Sequence, residues 1–95
     1  MSTIVLVFPR FDIGELSITP GVDREIDRSE IDFALSRHEC GDWGLVSDED
    51  RLENEFSLEH QFRLLSVYED SNGKRFWILT EADRSKTTVL LPEDY

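Results

Sequence analysis

At Arg63 the sequence changes period, and that change limits the possible folds more than any other feature. Downstream, "RLLSVYED", "SNG" and "KRFWILTE" read as two strands joined by a tight turn. Asn72-Gly73 tolerates the positive φ values that a two-residue hairpin turn demands. "DRS", residues 83–85, forms the next corner, and "KTTVLLP" is a last strand stopped by Pro92. An antiparallel β-meander is therefore expected, with strands near 63–69, 74–80 and 86–91. Its two faces both carry large side chains, Leu64 and Tyr68 on one, Leu65 and Val67 on the other. Helices on one face and partial cover on the second would account for that.

Upstream of Arg63 the spacing is helical. Ser29 precedes Ile31, Ala34, Leu35 and His38, which predicts a helix over 29–38 ended by Gly41 in a left-handed conformation. Ser47 with Asp50 three residues on approximates a capping box for a second helix over 48–60. Leu52 and Phe56 are expected to turn toward the core, with Glu49, Asp50 and Glu53 outside. "ELSIT", residues 15–19, alternates as a short strand; Thr19-Pro20 reads as a helix start or, with Gly21, as a turn. "TIVLVF", residues 3–8, is apolar and β-branched, and residues 1–10 are taken as a variable N-terminal strand or tail. The fold class is thus α/β in the α+β sense: one domain over 1–95, an antiparallel sheet packed by two helices. Trp43 and Trp77 are both expected to be largely buried.

Charge narrows the function classes. The net charge is −11, and residues 23–59 hold thirteen acids against four bases, the remainder eight against six. Such a field repels phosphate backbones and attracts basic surfaces. Direct nucleic-acid binding is disfavoured, because that affinity rests on Lys and Arg displacing counterions. Acidity that serves only solubility is the plain alternative. One cysteine, Cys40, allows no internal disulfide, which suits a reducing compartment and an expected cytoplasmic location. "STIVLVF" lacks the charged leader and cleavage pattern of a signal peptide, and no stretch approaches a membrane span.

"RHECGDWG", residues 37–44, gathers the cysteine, one of two histidines and one of two tryptophans. His38 with Glu39 or Asp42 could form an acid–base pair. A helix-terminal His38 packed against the sheet explains the same residues without chemistry. Cys40, flanked by Glu39 and Asp42, has no cationic or helix N-terminal setting in the sequence of the kind that activates a thiol. In "GDWG" two glycines let the backbone turn on either side of Trp43, and Asp42 suits an Asx-turn, so a corner is favoured over an active site. His38, Cys40 and His60 make no paired metal-ligand pattern, and "DEDRLENE" lacks the central glycine of a calcium loop. In "TEADRS", residues 80–85, Glu81, Asp83 and Arg84 could bind an anion or move a proton. A hairpin corner is the simpler account. No cofactor and no metal are expected.

Taken together, "TPG", "RHECGDWG", "DEDRLENE", "RLLSVY", "WILTEADRS" and "TTVLLPEDY" give the chain from about Phe11 to Tyr95 its resemblance to a family. That family comprises small uncharacterised proteins carried by plasmids, phages and integrative elements in bacteria. The acid-rich residues 22–30 and the first ten residues depart from its pattern. The resemblance carries over no catalytic residues. It implies genomic company that includes inhibitors of host defence, among them anti-CRISPR and anti-restriction proteins, several of which mimic the charge of DNA. Joined to the charge distribution, it makes a non-enzymatic acidic inhibitor of a basic, nucleic-acid-binding host protein the leading expectation. A regulatory adaptor and a small hydrolase or nuclease are the alternatives. The residues expected to meet the partner are Asp23, Asp27, Glu30, Asp32, Asp48, Glu49, Glu53 and Glu59.

Overall fold

A computed structural model describes residues 8–95. The expected N-terminal strand or tail falls largely in residues 1–7, outside that range. Among the described residues the order is β1 (Glu15–Ile18), α1 (Pro20–Glu25), α2 (Arg28–Glu39), α3 (Asp48–His60), β2 (Leu64–Glu69), β3 (Arg75–Thr80) and β4 (Lys86–Leu90). A short 3-10 turn, Pro92–Asp94, follows. The chain is an α+β domain, as the period change predicts.

The meander forms as expected, with β2, β3 and β4 antiparallel, but its first turn is not a two-residue Asn-Gly turn. Gly73 alone takes positive φ (82°), and its amide donates to the Asp70 carbonyl in a wider loop closed by Asp70 and Lys74. The expectation of a wholly antiparallel sheet is corrected by β1, which pairs parallel with β4 and gives the order β1-β4-β3-β2. A parallel neighbour needs a crossover, and the three helices between β1 and β2 supply the chain for it. Thr19 resolves the helix-or-turn alternative: it caps α1 by accepting from the Val22 amide, with Pro20 in the first turn.

Register places Leu64, Ser66, Tyr68, Phe76, Ile78, Thr80, Thr87 and Val89 on one sheet face. Val22 and Ile26 of α1 and Ile31, Ala34 and Leu35 of α2 close over this face to form the main core. Burying each of the larger ones, Val22, Ile26, Ile31 and Leu35, contributes roughly 1.5–3 kcal/mol. The opposite face holds Leu65, Val67, Trp77, Leu79 and Leu90, with Tyr95 packed edge-on against Trp77 at 5.6 Å. Trp43 is buried as expected; Trp77, on this less covered face, is only half-buried.

α3 does not present an apolar stripe to the sheet. Leu52 and Phe56, expected to face the core, are 62 % and 55 % exposed, whereas Asn54 and Ser57 are buried. The reason is where the helix lies. It runs along the outer edge of β2, where the groups needing cover are backbone amides and carbonyls rather than apolar side chains. Asn54 meets that need in strand fashion: its Nδ2 donates to the Leu65 carbonyl at 2.8 Å and its Oδ1 accepts from the Leu65 amide at 3.1 Å. Two residues on, the Val67 amide donates to the Trp43 carbonyl, and the Val67 carbonyl accepts from the Leu45 amide. The edge of β2 is thereby closed to further strands.

Asn54→Asp should destabilise the domain by about 2 kcal/mol, since a carboxylate cannot donate to the Leu65 carbonyl and leaves it unpaired. Urea unfolding measures this; a loss below about 0.5 kcal/mol would contradict the role given to Asn54.

Candidate functional site

The 37–44 stretch turns the chain from α2 onto the edge of β2. Gly41 follows the helix at φ 80°, as expected for its stop. Arg37 grips Asp42 through two bonds, Nε at 2.8 Å and Nη2 at 3.3 Å, and its guanidinium lies 4.9 Å from the centre of the Tyr68 ring. This bond holds the Asp42 carboxyl below its ordinary pKa and the Arg37 guanidinium above its own. Asp42 Oδ1 accepts from the Gly44 amide, which is the expected Asx-turn, and the Tyr68 hydroxyl donates to the Asp42 carbonyl at 2.6 Å. Gly44, at φ 75°, brings its backbone against Val67, where a Cβ would lie 2.1 Å from the Val67 carbonyl oxygen. Trp43 donates from Nε1 to Glu55 at 2.8 Å, and Glu55 also takes both terminal nitrogens of Arg10.

His38 is completely buried, and its partners are neither Glu39 nor Asp42. Nδ1 lies 2.6 Å from Ser66 Oγ and Nε2 lies 2.9 Å from Thr80 Oγ1. Thr80 Oγ1 continues to Thr87 Oγ1 at 2.7 Å, and Thr87 donates to the Ile13 carbonyl at 2.7 Å. Proton counting gives this chain a direction. A carbonyl only accepts, so Thr87 spends its single proton on Ile13 and must accept from Thr80. Thr80 then has no proton left for the ring, and His38 Nε2–H must donate to it. The neutral ring accepts at Nδ1 from Ser66. Phe11 and Trp43 close over the imidazole edge-on, at 5.2 Å and 5.8 Å. Burial, helped by the charge of Arg84, pushes the His38 pKa down to about 3.

The "TEADRS" corner is also spent on architecture. Glu81 pairs with Arg63 at 3.4 Å, and Asp83 accepts from the amide and hydroxyl of Ser85. Arg84, at φ 62°, donates to the carbonyls of Phe62 (2.6 Å), Ser57 (3.1 Å), Glu81 and Ala82. Two of these belong to the last turn of α3 and its continuation, where orphan carbonyls and the helix dipole both favour a cation. His38 and the Glu81–Arg84 corner do not meet as an acid–base pair: the ring nitrogens face hydroxyls, and the guanidinium faces carbonyls. Among the described residues no three His, Cys, Asp or Glu side chains are grouped to hold a metal ion.

The eight acids singled out in the sequence fall on the three helices. Asp23 is on α1; Asp27, Glu30 and Asp32 start α2; Asp48, Glu49, Glu53 and Glu59 lie along α3. All are exposed except Glu30, which is half-buried and accepts from the amide and hydroxyl of Ser71 in the β2–β3 turn. Asp32 pairs with Arg28 at 3.0 Å and Asp48 with Arg51 at 3.8 Å. Among the described residues no cation reaches Asp23, Asp27, Glu49, Glu53 or Glu59. Sequence reasoning missed the apolar companions of these acids, Phe56 and Leu52, because helical spacing alone does not say which face a helix buries. It also missed Ser66, Thr80 and Thr87, although polar residues at core parity beside Leu64, Tyr68 and Val89 were a readable signal.

No protein-family model, no curated protein and no solved structure matches the chain. No helix of the described residues is long and apolar enough to cross a membrane.

Because the folded pKa of His38 lies below the unfolded value of about 6.5, the neutral ring's contribution is complete above that value and is lost as pH falls toward 3. Unfolding free energy should drop by about 2 kcal/mol between about pH 7 and pH 5 from this group. His38→Gln should lack that part of the slope. Denaturant titrations at the two pH values check it, and equal slopes in both proteins would contradict it.

Proposed function

We propose that the protein is a non-enzymatic acidic inhibitor that docks on a basic, nucleic-acid-binding host protein and covers the surface that protein uses for DNA or RNA. The observation that carries this reading is the set of exposed carboxylates at α1, α2 and α3 that no cation among the described residues neutralises. Asp23, Asp27, Glu49, Glu53 and Glu59 are available to lysines and arginines of a partner, as phosphates would be. The structural use of Arg37, His38, Asp42, Trp43 and Arg84 supports a binding rather than a catalytic role. The resemblance to proteins of bacterial mobile elements directs the proposal to a defence complex of the CRISPR or restriction kind, met in the bacterial cytoplasm. A regulatory adaptor would use the same face, and the exposed Leu52 and Phe56 favour a protein partner in either case.

Reversing Asp23, Glu49, Glu53 and Glu59 to Lys should leave the fold intact, since each is exposed and none makes an ion pair among the described residues. It should abolish capture of the partner from host lysate, and capture by the wild type should fall steeply with added salt. Equal capture by both proteins, or the absence of any nucleic-acid-binding protein among those captured, would defeat the proposal.

A further inference from the structure

The outer face of α3 reverses the usual amphipathic order. Leu52 and Phe56, one turn apart, stand in solvent, and Phe56 opens an aromatic stack. The His60 ring lies 4.2 Å from it, and the Phe62 ring lies 6.0 Å away with its plane within 7°. Phe62 is itself 55 % exposed. It lies beyond the helix and is folded back by Gln61, at φ 61°, with its amide donating to the Ser57 carbonyl at 3.0 Å. Arg84 then holds both the Phe62 and the Ser57 carbonyls. The stack is fixed before any ligand arrives, which removes an ordering cost from binding.

Acids frame this stripe. At about 100° per residue, Asp48, Glu49, Glu53 and Glu59 all project within about a quarter turn of the Leu52–Phe56 line. We infer that the stripe is the anchor for a cationic amphipathic segment of the partner protein, whose apolar side chains cover Leu52, Phe56 and Phe62 while its Lys and Arg meet the acidic rim. The inference rests on the reading of the acidic surface as the partner-binding face. Charge selects the occupant. A second copy, itself at −11, would bring the same carboxylates together, and nucleic acid or an anionic lipid surface would be repelled. A neutral apolar peptide would strip water from the rim without pairing it. Arginine is doubly suited, since its guanidinium stacks on aromatic faces and forks onto carboxylates.

Fluorescence anisotropy with a labelled synthetic helix of about 18 residues tests this, the helix carrying Leu on one face and Lys and Arg on the other. A control peptide of equal charge replaces Leu by Gln. The wild type should bind the amphipathic peptide about tenfold or more tightly than the control, and Leu52→Ser with Phe56→Ser should remove that advantage. Circular dichroism and urea unfolding should show the serine variant folded, because both side chains are exposed. Glu49→Lys, Glu53→Lys and Glu59→Lys together should abolish binding of both peptides. If the serine variant binds like wild type while the lysine variant does not, the anchor is overturned and the acidic surface survives. Should the lysine variant keep full binding, the cationic partner falls together with the reading beneath it. No binding of the amphipathic peptide to the wild type, or self-association of the wild type that the serine variant loses, overturns the inference.

Discussion

A neutral imidazole held between Ser66 and Thr80 ties together three parts of the chain: the end of α2, the middle of the sheet and the segment entering β1 at Ile13. An unpaired buried ring would be costly, and each member of the chain has one proton and one place to spend it. That fixes the tautomer, the hydroxyl rotors and the height of α2 over the sheet at once. Phe11 and Trp43 dry the site from above, and Trp43 can do so only because Gly41 and Gly44 let the chain turn on either side of it. The corner at 37–44 and the buried histidine are therefore one construction. Arg37, Asp42 and Tyr68 form its outer wall, and Arg10 with Glu55 fasten it to α3.

How legible this was from the sequence depended on whether the signal was local. The meander, the Thr19 and Ser47 caps and the Asx-turn at Asp42 are each set by residues within a few positions of one another, and each was readable. The turn at Asn72-Gly73 was readable in place but not in form, since Gly73 alone takes positive φ. The parallel strand β1 was readable as a strand but not as a partner of β4, because pairing across 70 residues leaves no local trace. α3 misled for a different reason. Leu52 and Phe56 recur at helical spacing and satisfy the pattern of a core-facing stripe, yet the helix lies at a sheet edge where Asn54 supplies what is needed. Of the candidate site, the acids could be counted from the sequence. That five of them meet no cation among the described residues, and that an aromatic stack is set beside those on α3, required the structure itself.

Division of labour follows from the small size of the domain. With one core, the polar residues that a larger protein could keep for chemistry are used here to hold elements together: Arg84 stitches the last hairpin to the end of α3, Asn54 closes β2, and Glu30 holds the β2–β3 turn. What is left over lies on the outside, and it is acidic with an apolar stripe through it. Such a surface costs stability through self-repulsion and exposed hydrocarbon. A partner of the proposed kind, basic and apolar, would relieve both.

We propose that the interior polar residues serve architecture and leave function to the outer surface. It stands most directly on the state of His38. Long-range nitrogen–proton NMR correlation of the imidazole at about pH 5 reads that state, since a free histidine is largely protonated there. A neutral ring with its proton on Nε2 and a bare, accepting Nδ1 is the expected result. An imidazolium, or a ring protonated on Nδ1, would contradict the hydrogen-bond chain and reopen His38 as a group available for chemistry.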